Sequence, residues 1–266
     1  MYTQFEVESH FDGRLKVIFL NQPEVFNSLN KTMLKELRHV IEAFGREEVV
    51  RCIAISGRGK AFCAGQNLKD AVDLKDHVDD DREIQRIVID YYNPLVEAIT
   101  HSKKPIVALI NGPAVGAGAM LAMITDFALA TESAYLSLGF ANIGLIPDTA
   151  GTYYLPKLVG RQVASYLAFT GKKVPALEAK KLGMIADVFP DADFAEKSFE
   201  ILSHLSFAAT KAIGLTKKAF VESEHHTLKE QLDLESIYQQ SAAQSHDFRE
   251  GITAFLEKRK PEYIGK

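Results

Sequence analysis

An α/β fold is predicted for this chain by three observations. Apolar runs of strand length alternate with stretches whose apolar residues recur at helical spacing, the alternation gives way to helical pattern from about Glu178 onward, and 266 residues with 47% hydrophobic and 25% charged content can bury one large core with an appendage. Strand-like alternation opens at Phe5 to Glu8 and Leu15 to Leu20. A helix follows from about Lys31 to Phe44, with Met33, Leu34, Leu37 and Ile41 on one face and Asn30 placed to cap it. Buried strands are expected at Cys52 to Ser56, Ile106 to Ile110 and Phe127 to Ala130, separated by helical patterns near Arg82 to Thr100 and Ala117 to Ile124.

A net charge of −4, from 31 basic and 35 acidic residues, gives no bulk attraction to nucleic acid or an anionic membrane, so an anionic ligand has to be held locally. No apolar run approaches the roughly 18 residues of a membrane span, and the opening MYTQFEVESHFDGRL has neither signal nor transit character. The two cysteines, Cys52 and Cys63, sit in apolar contexts without metal-ligand spacing, which fits a reducing, cytoplasmic setting. Residues 69–82 are polar and acidic and read as a solvated loop; the run Asp79, Asp80, Asp81 lacks the glycine and terminal Glu of a calcium loop, so no metal is expected.

Chemistry concentrates in three turns: GKAFCAGQNL at 59–68, INGPAVGAGAMLAM at 110–123 and IGLIPDTAGT at 143–152. In the first two, a strand runs through small residues into a helical pattern, leaving backbone N–H groups unpaired where a substrate oxygen can approach. Two such donors on one carbonyl oxygen make an oxyanion hole. Gly116 and Gly118 also supply the start of a dinucleotide fingerprint, but position 121 is Leu121 rather than the third glycine, and tight backbone packing alone remains an alternative. Cys63, between Phe62 and Ala64, reads as a buried small hydrophobe rather than a nucleophile. Asp148 follows a proline, which is ordinary turn chemistry. Its neighbours Ile143, Leu145, Ile146, Pro147, Ala150 and Gly151 would nevertheless desolvate the carboxylate and raise its pKa, as proton shuttling near neutral pH requires.

In this order, FCAGQNL, NGPAVGAGAMLAMITD and LGFANIGLIPDTAGTYYLPKLVGR resemble the crotonase (enoyl-CoA hydratase/isomerase) superfamily along essentially the whole chain. The resemblance implies a spiral of ββα units over 1–200 and a C-terminal helical trimerisation region over 201–266, assembled as a homotrimer or a dimer of trimers. It implies an acyl-CoA thioester substrate, with coenzyme A as part of that substrate and no further cofactor. Carried over by position, the oxyanion-hole amides fall on Gln66 and Ala117, with Ala64, Leu68 and Gly116 beside them. Tyr92, Phe140 and Tyr154 are candidates for the acyl pocket, ordinary core packing being the alternative for each. Lys60 and Lys69 are candidates for the CoA phosphates, with plain surface solvation the alternative.

Hydratases of the superfamily use two glutamates, and their places hold Met120 and Phe140 here. Asp148 stands where isomerase-type members carry their acid. Within the superfamily, YYNPLVEAI, GLIPDTAGTYYLPKLVGR and the tail from LKEQLDLESIYQQ to EYIGK resemble the ring 1,2-epoxyphenylacetyl-CoA isomerases of bacterial phenylacetate breakdown, which also resemble Δ3,Δ2-enoyl-CoA isomerases. The activity so implied is isomerisation through a thioester enolate, moving a double bond or opening a ring epoxide with Asp148 as the acid/base group. A hydratase, and a crotonase-like acyl-CoA-binding protein without turnover, are the alternatives.

Overall fold

The structure is a computed structural model that describes residues 2–68 and 83–266. The acidic 69–82 stretch, with Lys69 and the Asp79 to Asp81 run, lies outside the described residues. Each predicted strand and helix within them is present. The main sheet has six strands in the order β1 (Phe5–His10), β2 (Leu15–Leu20), β3 (Cys52–Gly57), β4 (Ile106–Ile110), β6 (Phe127–Thr131) and β9 (Asp187–Phe189). Only the β1–β2 pair is antiparallel; the other neighbours run parallel, as successive crossovers through helices require. A small second sheet joins β5 (Ala114–Val115), β7 (Tyr135–Ser137) and β8 (Lys173–Pro175). A strand of the large sheet thus passes into a strand of the small sheet and then into a helix, the ββα turn of a spiral.

Burial explains the element choices. Every residue of β3 and β4 is buried, so these strands read as unbroken apolar runs rather than alternating ones. One face of the sheet is covered by α1 (Lys31–Arg46), whose Met33, Leu34, Leu37, Val40, Ile41 and Phe44 are buried and whose Met33 N–H donates to the Asn30 side chain at 2.8 Å. The same core takes in α3 (Asn93–Thr100) and α4 (Ala117–Met123), with α2 (Glu83–Ile87) leading into α3. The opposite face carries a second cluster, Leu15, Val17, Ala54, Val107 and Leu129, capped by Leu202 of α8 (Phe194–Ser206). Between these regions lie α5 (Gly151–Val159), α6 (Arg161–Thr170) and α7 (Ala176–Leu182).

The C-terminal helices are α9 (Thr210–Ser223), α10 (Leu228–Ala243) and α11 (His246–Glu257). Two buried ionic clamps tie them to the spiral. Lys217 of α9 donates to the Ile99 carbonyl at 2.8 Å and to Asp126 at 2.9 Å, and Asp126 also accepts the Ile106 N–H at 2.7 Å. Arg51 meets Asp247 at 3.9 Å and donates to the Ala208 carbonyl at 2.8 Å; Asp247 in turn accepts the N–H groups of Ile264 and Gly265, each at 2.8 Å. A buried pair stabilises little as a unit, but removing one partner strands the other charge. Lys217→Met is therefore expected to lower the urea unfolding free energy by about 2 kcal/mol, because the partly exposed Asp126 carboxylate loses its cation and the Ile99 carbonyl loses its donor. The double variant Lys217→Met/Asp126→Asn should recover part of that loss, and equal stability of the single variant and the parent protein would contradict the clamp.

Candidate active site

The first two turns are stitched backbone to backbone. The Phe62 and Cys63 N–H groups donate to the Pro113 carbonyl at 3.1 and 3.2 Å, and the Val115 N–H donates to the Cys63 carbonyl at 2.9 Å. Gly118 lies so close that a Cβ there would fall 2.3 Å from the Cys63 oxygen, which is why the small-residue run continues into α4. Two asparagines fasten the outer side. Asn27, fully buried, donates to the Arg58 and Ala61 carbonyls at 2.9 and 2.8 Å, and Asn111 accepts the Gly57 N–H at 3.1 Å.

This stitching orients two amides. Gln66 forms an isolated parallel bridge with Leu29, in which the Leu29 N–H donates to the Gly65 carbonyl at 2.7 Å and the Asn67 N–H to the Leu29 carbonyl at 2.8 Å. In a parallel bridge those bonds flank the opposed residue, so the Gln66 N–H itself points away from Leu29. Ala117 opens α4, where an N–H has no intrahelical acceptor. Neither N–H finds a partner among the described residues. The two lie on one wall: a Cβ on Gly65 would sit 3.4 Å from the Ala117 nitrogen and 2.7 Å from the Val115 oxygen.

In front of that wall is a cavity of about 520 Å³. Gln66, Gly116, Ala117 and Asp148 line it together with an apolar side formed by Ile84, Ile87, Val88, Tyr92, Phe140 and Leu145. Ala64 and Leu68 also contribute, so the structure brings together every expected site residue except Tyr154. Tyr154 is absent from the lining; half-buried, it packs on the core with its ring edge-on to Tyr153, 5.1 Å between centroids. Core packing is thus the outcome at 154. Lys60 is exposed beside the first turn and does not line the cavity.

Asp148 is the only carboxylate in the described lining. Its turn is tight: the Gly151 N–H donates to the Asp148 carbonyl at 2.7 Å, and Thr149 and Ala150 take left-handed conformations with φ of 51° and 60°. A β-branched residue in that region marks backbone held by its surroundings. Burial pushes the Asp148 carboxyl above the usual carboxylate range, partly offset by the Thr149 hydroxyl, which donates to it at 2.9 Å. Met120 packs beneath this turn, its sulfur 3.2 Å from where a Gly151 Cβ would lie, and the Phe140 ring faces Gly116. Burial holds the Cys63 thiol up to about 12, so it stays a protonated small hydrophobe.

Sequence reasoning missed several contributors. The wall of Ile84, Ile87 and Val88 carries no signal beyond helical periodicity, and the Thr149 hydroxyl reads as turn chemistry. Asn27 and Asn111 were open to discovery, since asparagines beside tight turns satisfy backbone groups. Crowding by backbone at Gly65 separates it from Gly144, which has φ 74° and nothing within 4 Å of an added Cβ. Gly144→Ala should cost about 1 kcal/mol, the conformational penalty alone. Gly65→Ala should cost more because a backbone oxygen blocks the methyl group; urea midpoints measure both, and equal losses would contradict the close approach of the two turns.

Comparison with known proteins places this geometry. An enoyl-CoA hydratase/isomerase family model matches residues 11–266. The chain is 39% identical to 1,2-epoxyphenylacetyl-CoA isomerase of Escherichia coli K12, over 97% of this chain and 98% of the relative. It is 30% identical to 2,3-dehydroadipyl-CoA hydratase of the same organism, over 95% and 96% of the two chains. The crystal structure of an enoyl-CoA hydratase from Bacillus anthracis superposes with a TM-score of 0.92 at 31% identity, covering 99% of this chain and 100% of that one. The fold is the crotonase spiral with its C-terminal helices, and the chain belongs to the enoyl-CoA hydratase/isomerase family.

Proposed function

We propose that this protein is an acyl-CoA isomerase that works through a thioester enolate, with Asp148 as its single acid/base group. The observation that carries this reading is the described lining, with two amides unpaired among the described residues on one wall and one carboxylate; the family resemblance adds that Met120 and Phe140 stand at the places of the hydratase glutamates. Water addition needs groups to activate water and to protonate carbon, whereas moving a proton between two carbons needs one group that takes it and gives it back.

In this mechanism the thioester oxygen accepts from the Gln66 and Ala117 N–H groups. Asp148 removes an α proton from a 3-enoyl thioester, the electron pair moves onto the oxygen as a dienolate, and the protonated Asp148 returns the proton at the γ carbon. The double bond then lies between the α and β carbons, with no atom added or lost. A ring epoxide is the second substrate class for the same site, supported by the sequence similarity to the E. coli epoxyphenylacetyl-CoA isomerase and by aromatic and branched side chains that, Asp148 apart, leave the described lining without charged groups and suit a ring. The reading places the enzyme in the cytoplasm.

The homotrimer or dimer of trimers belongs to the same proposal. Leu228, Phe255 and Leu256 of the C-terminal helices are 77%, 82% and 73% exposed, more apolar surface than a peripheral helix needs. Light scattering at micromolar concentration should give a trimer or hexamer; a stable monomer would contradict this part.

Asp148→Asn is expected to fold, to bind acyl-CoA and to lose at least about a hundredfold in 3-enoyl-CoA isomerisation, the usual worth of a positioned acid/base group. The parent protein should isomerise a 3-enoyl-CoA far faster than it hydrates crotonyl-CoA, and the reverse order would overturn the isomerase reading. Stability adds a signed check. Because burial raises the Asp148 pKa, ionising it in the folded state costs stability: nothing below the ordinary carboxylate pKa, the full amount above the raised folded value. The Asn variant should therefore be the more stable protein at neutral pH and lose that advantage as the pH falls to the ordinary carboxylate range.

A further inference from the structure

Between α2 and α3 the helix changes pitch at the cavity wall. Val88–Tyr92 form a π-helical turn, in which the Asn93 N–H donates to the Val88 carbonyl. Such turns fit one extra residue into a helix and recur at functional sites. This one brings both Val88 and Tyr92 into the lining. Tyr92 is 2% exposed, and its hydroxyl donates to the side-chain oxygen of Gln66. The other end of that carboxamide donates to the Asn67 carbonyl at 3.2 Å. The Gln66 peptide is already held on its far side by the two Leu29 bonds of 2.7 and 2.8 Å.

An apolar wall has no need of a hydroxyl at 92, since phenylalanine would fill the same space without burying a polar group. The Gln66 side-chain oxygen gives that hydroxyl a partner in the site. Two bonds to one strand leave a peptide free to tilt about the line joining them, and a third tether from another element removes that freedom. We infer that Tyr92 is a positioning residue for the oxyanion hole, its hydroxyl holding the Gln66 peptide, through the Gln66 side chain, so that the N–H meets the thioester oxygen. This rests on the thioester reading above. A donor fixed in advance stabilises developing charge without reorganising during the reaction, so a small tilt lowers the rate without loosening the substrate. The hydroxyl need not touch the reacting atoms for this.

The test reads the thioester carbonyl directly. Butyryl-CoA, isotopically labelled at the carbonyl carbon, is bound to the protein, and its infrared stretch is compared with that in water. The parent protein and Asp148→Asn should both lower the stretch, since each keeps the two amides. Tyr92→Phe should lose part of that lowering and reduce kcat about fivefold to tenfold, the worth of one hydrogen bond, while KM stays within about twofold. Gln66→Leu keeps the backbone amide but removes the tether from the other side, and should behave alike even if the buried ring tolerates no change. The double variant should fall no further than either single one, because both delete one interaction. Full lowering and full kcat in either single variant would overturn the inference, and so would rate losses that multiply in the double variant, which mean that the hydroxyl acts on substrate. Absence of any lowering in the parent protein would instead overturn the oxyanion reading on which the inference depends.

Discussion

The close backbone contact between the two glycine-rich turns is the constraint on which the site depends. The Cys63 N–H donates to the Pro113 carbonyl and the Cys63 carbonyl accepts the Val115 N–H, Gly118 allows α4 to begin against that carbonyl, and Gly65 with φ 89° brings the first turn close to the Ala117 nitrogen. Side chains contribute almost nothing to the wall itself. The proposed carbonyl-binding groups are two N–H groups without partners among the described residues, and unpaired amides of this kind persist only where surrounding structure holds them. The asparagines at 27 and 111 do that holding, taking up backbone groups that the sharp turns would otherwise strand.

In the same cavity the described lining offers one carboxylate. Asp148 sits on a turn whose next two residues are both left-handed, with Met120 packed beneath it and an apolar cavity in front. Desolvation raises its proton affinity, and hydrogen bonds from the Thr149 hydroxyl and from the residue's own backbone limit the rise. Rigidity at the amides and a single raised acid in a described lining otherwise without charged side chains together support the proposed proton relocation within one substrate over addition of water.

Much of this was legible in the sequence, and the reasons differ by element. Helix α1 announces itself through apolar spacing and the Asn30 cap, and β3 and β4 through unbroken apolar runs of the right length. The glycine and alanine clusters between a strand and a helix point to exposed backbone amides, while their placement at 66 and 117 rests on the resemblance to the family's motifs. Tyr92 and Tyr154 show where reading stops. Both are aromatic residues in helical stretches and both pack with the core, yet only Tyr92 also lines the cavity, and it does so from a π-turn that the sequence does not announce. The buried clamps at Arg51–Asp247 and Asp126–Lys217 were equally silent, because each joins residues far apart in the chain that carry no local pattern.

The central claim is that a backbone amide at 117 polarises the thioester. It is tested most directly by comparing Ala117→Pro with Ala117→Ser in isomerisation of a 3-enoyl-CoA. Proline deletes the N–H yet suits the first turn of a helix, whereas serine keeps the N–H in similar bulk. With circular dichroism showing both variants folded, the proline variant should be slower than the serine variant by about 10² to 10³, the worth of one oxyanion donor. Equal rates in the two folded variants would contradict the account and move the oxyanion hole elsewhere.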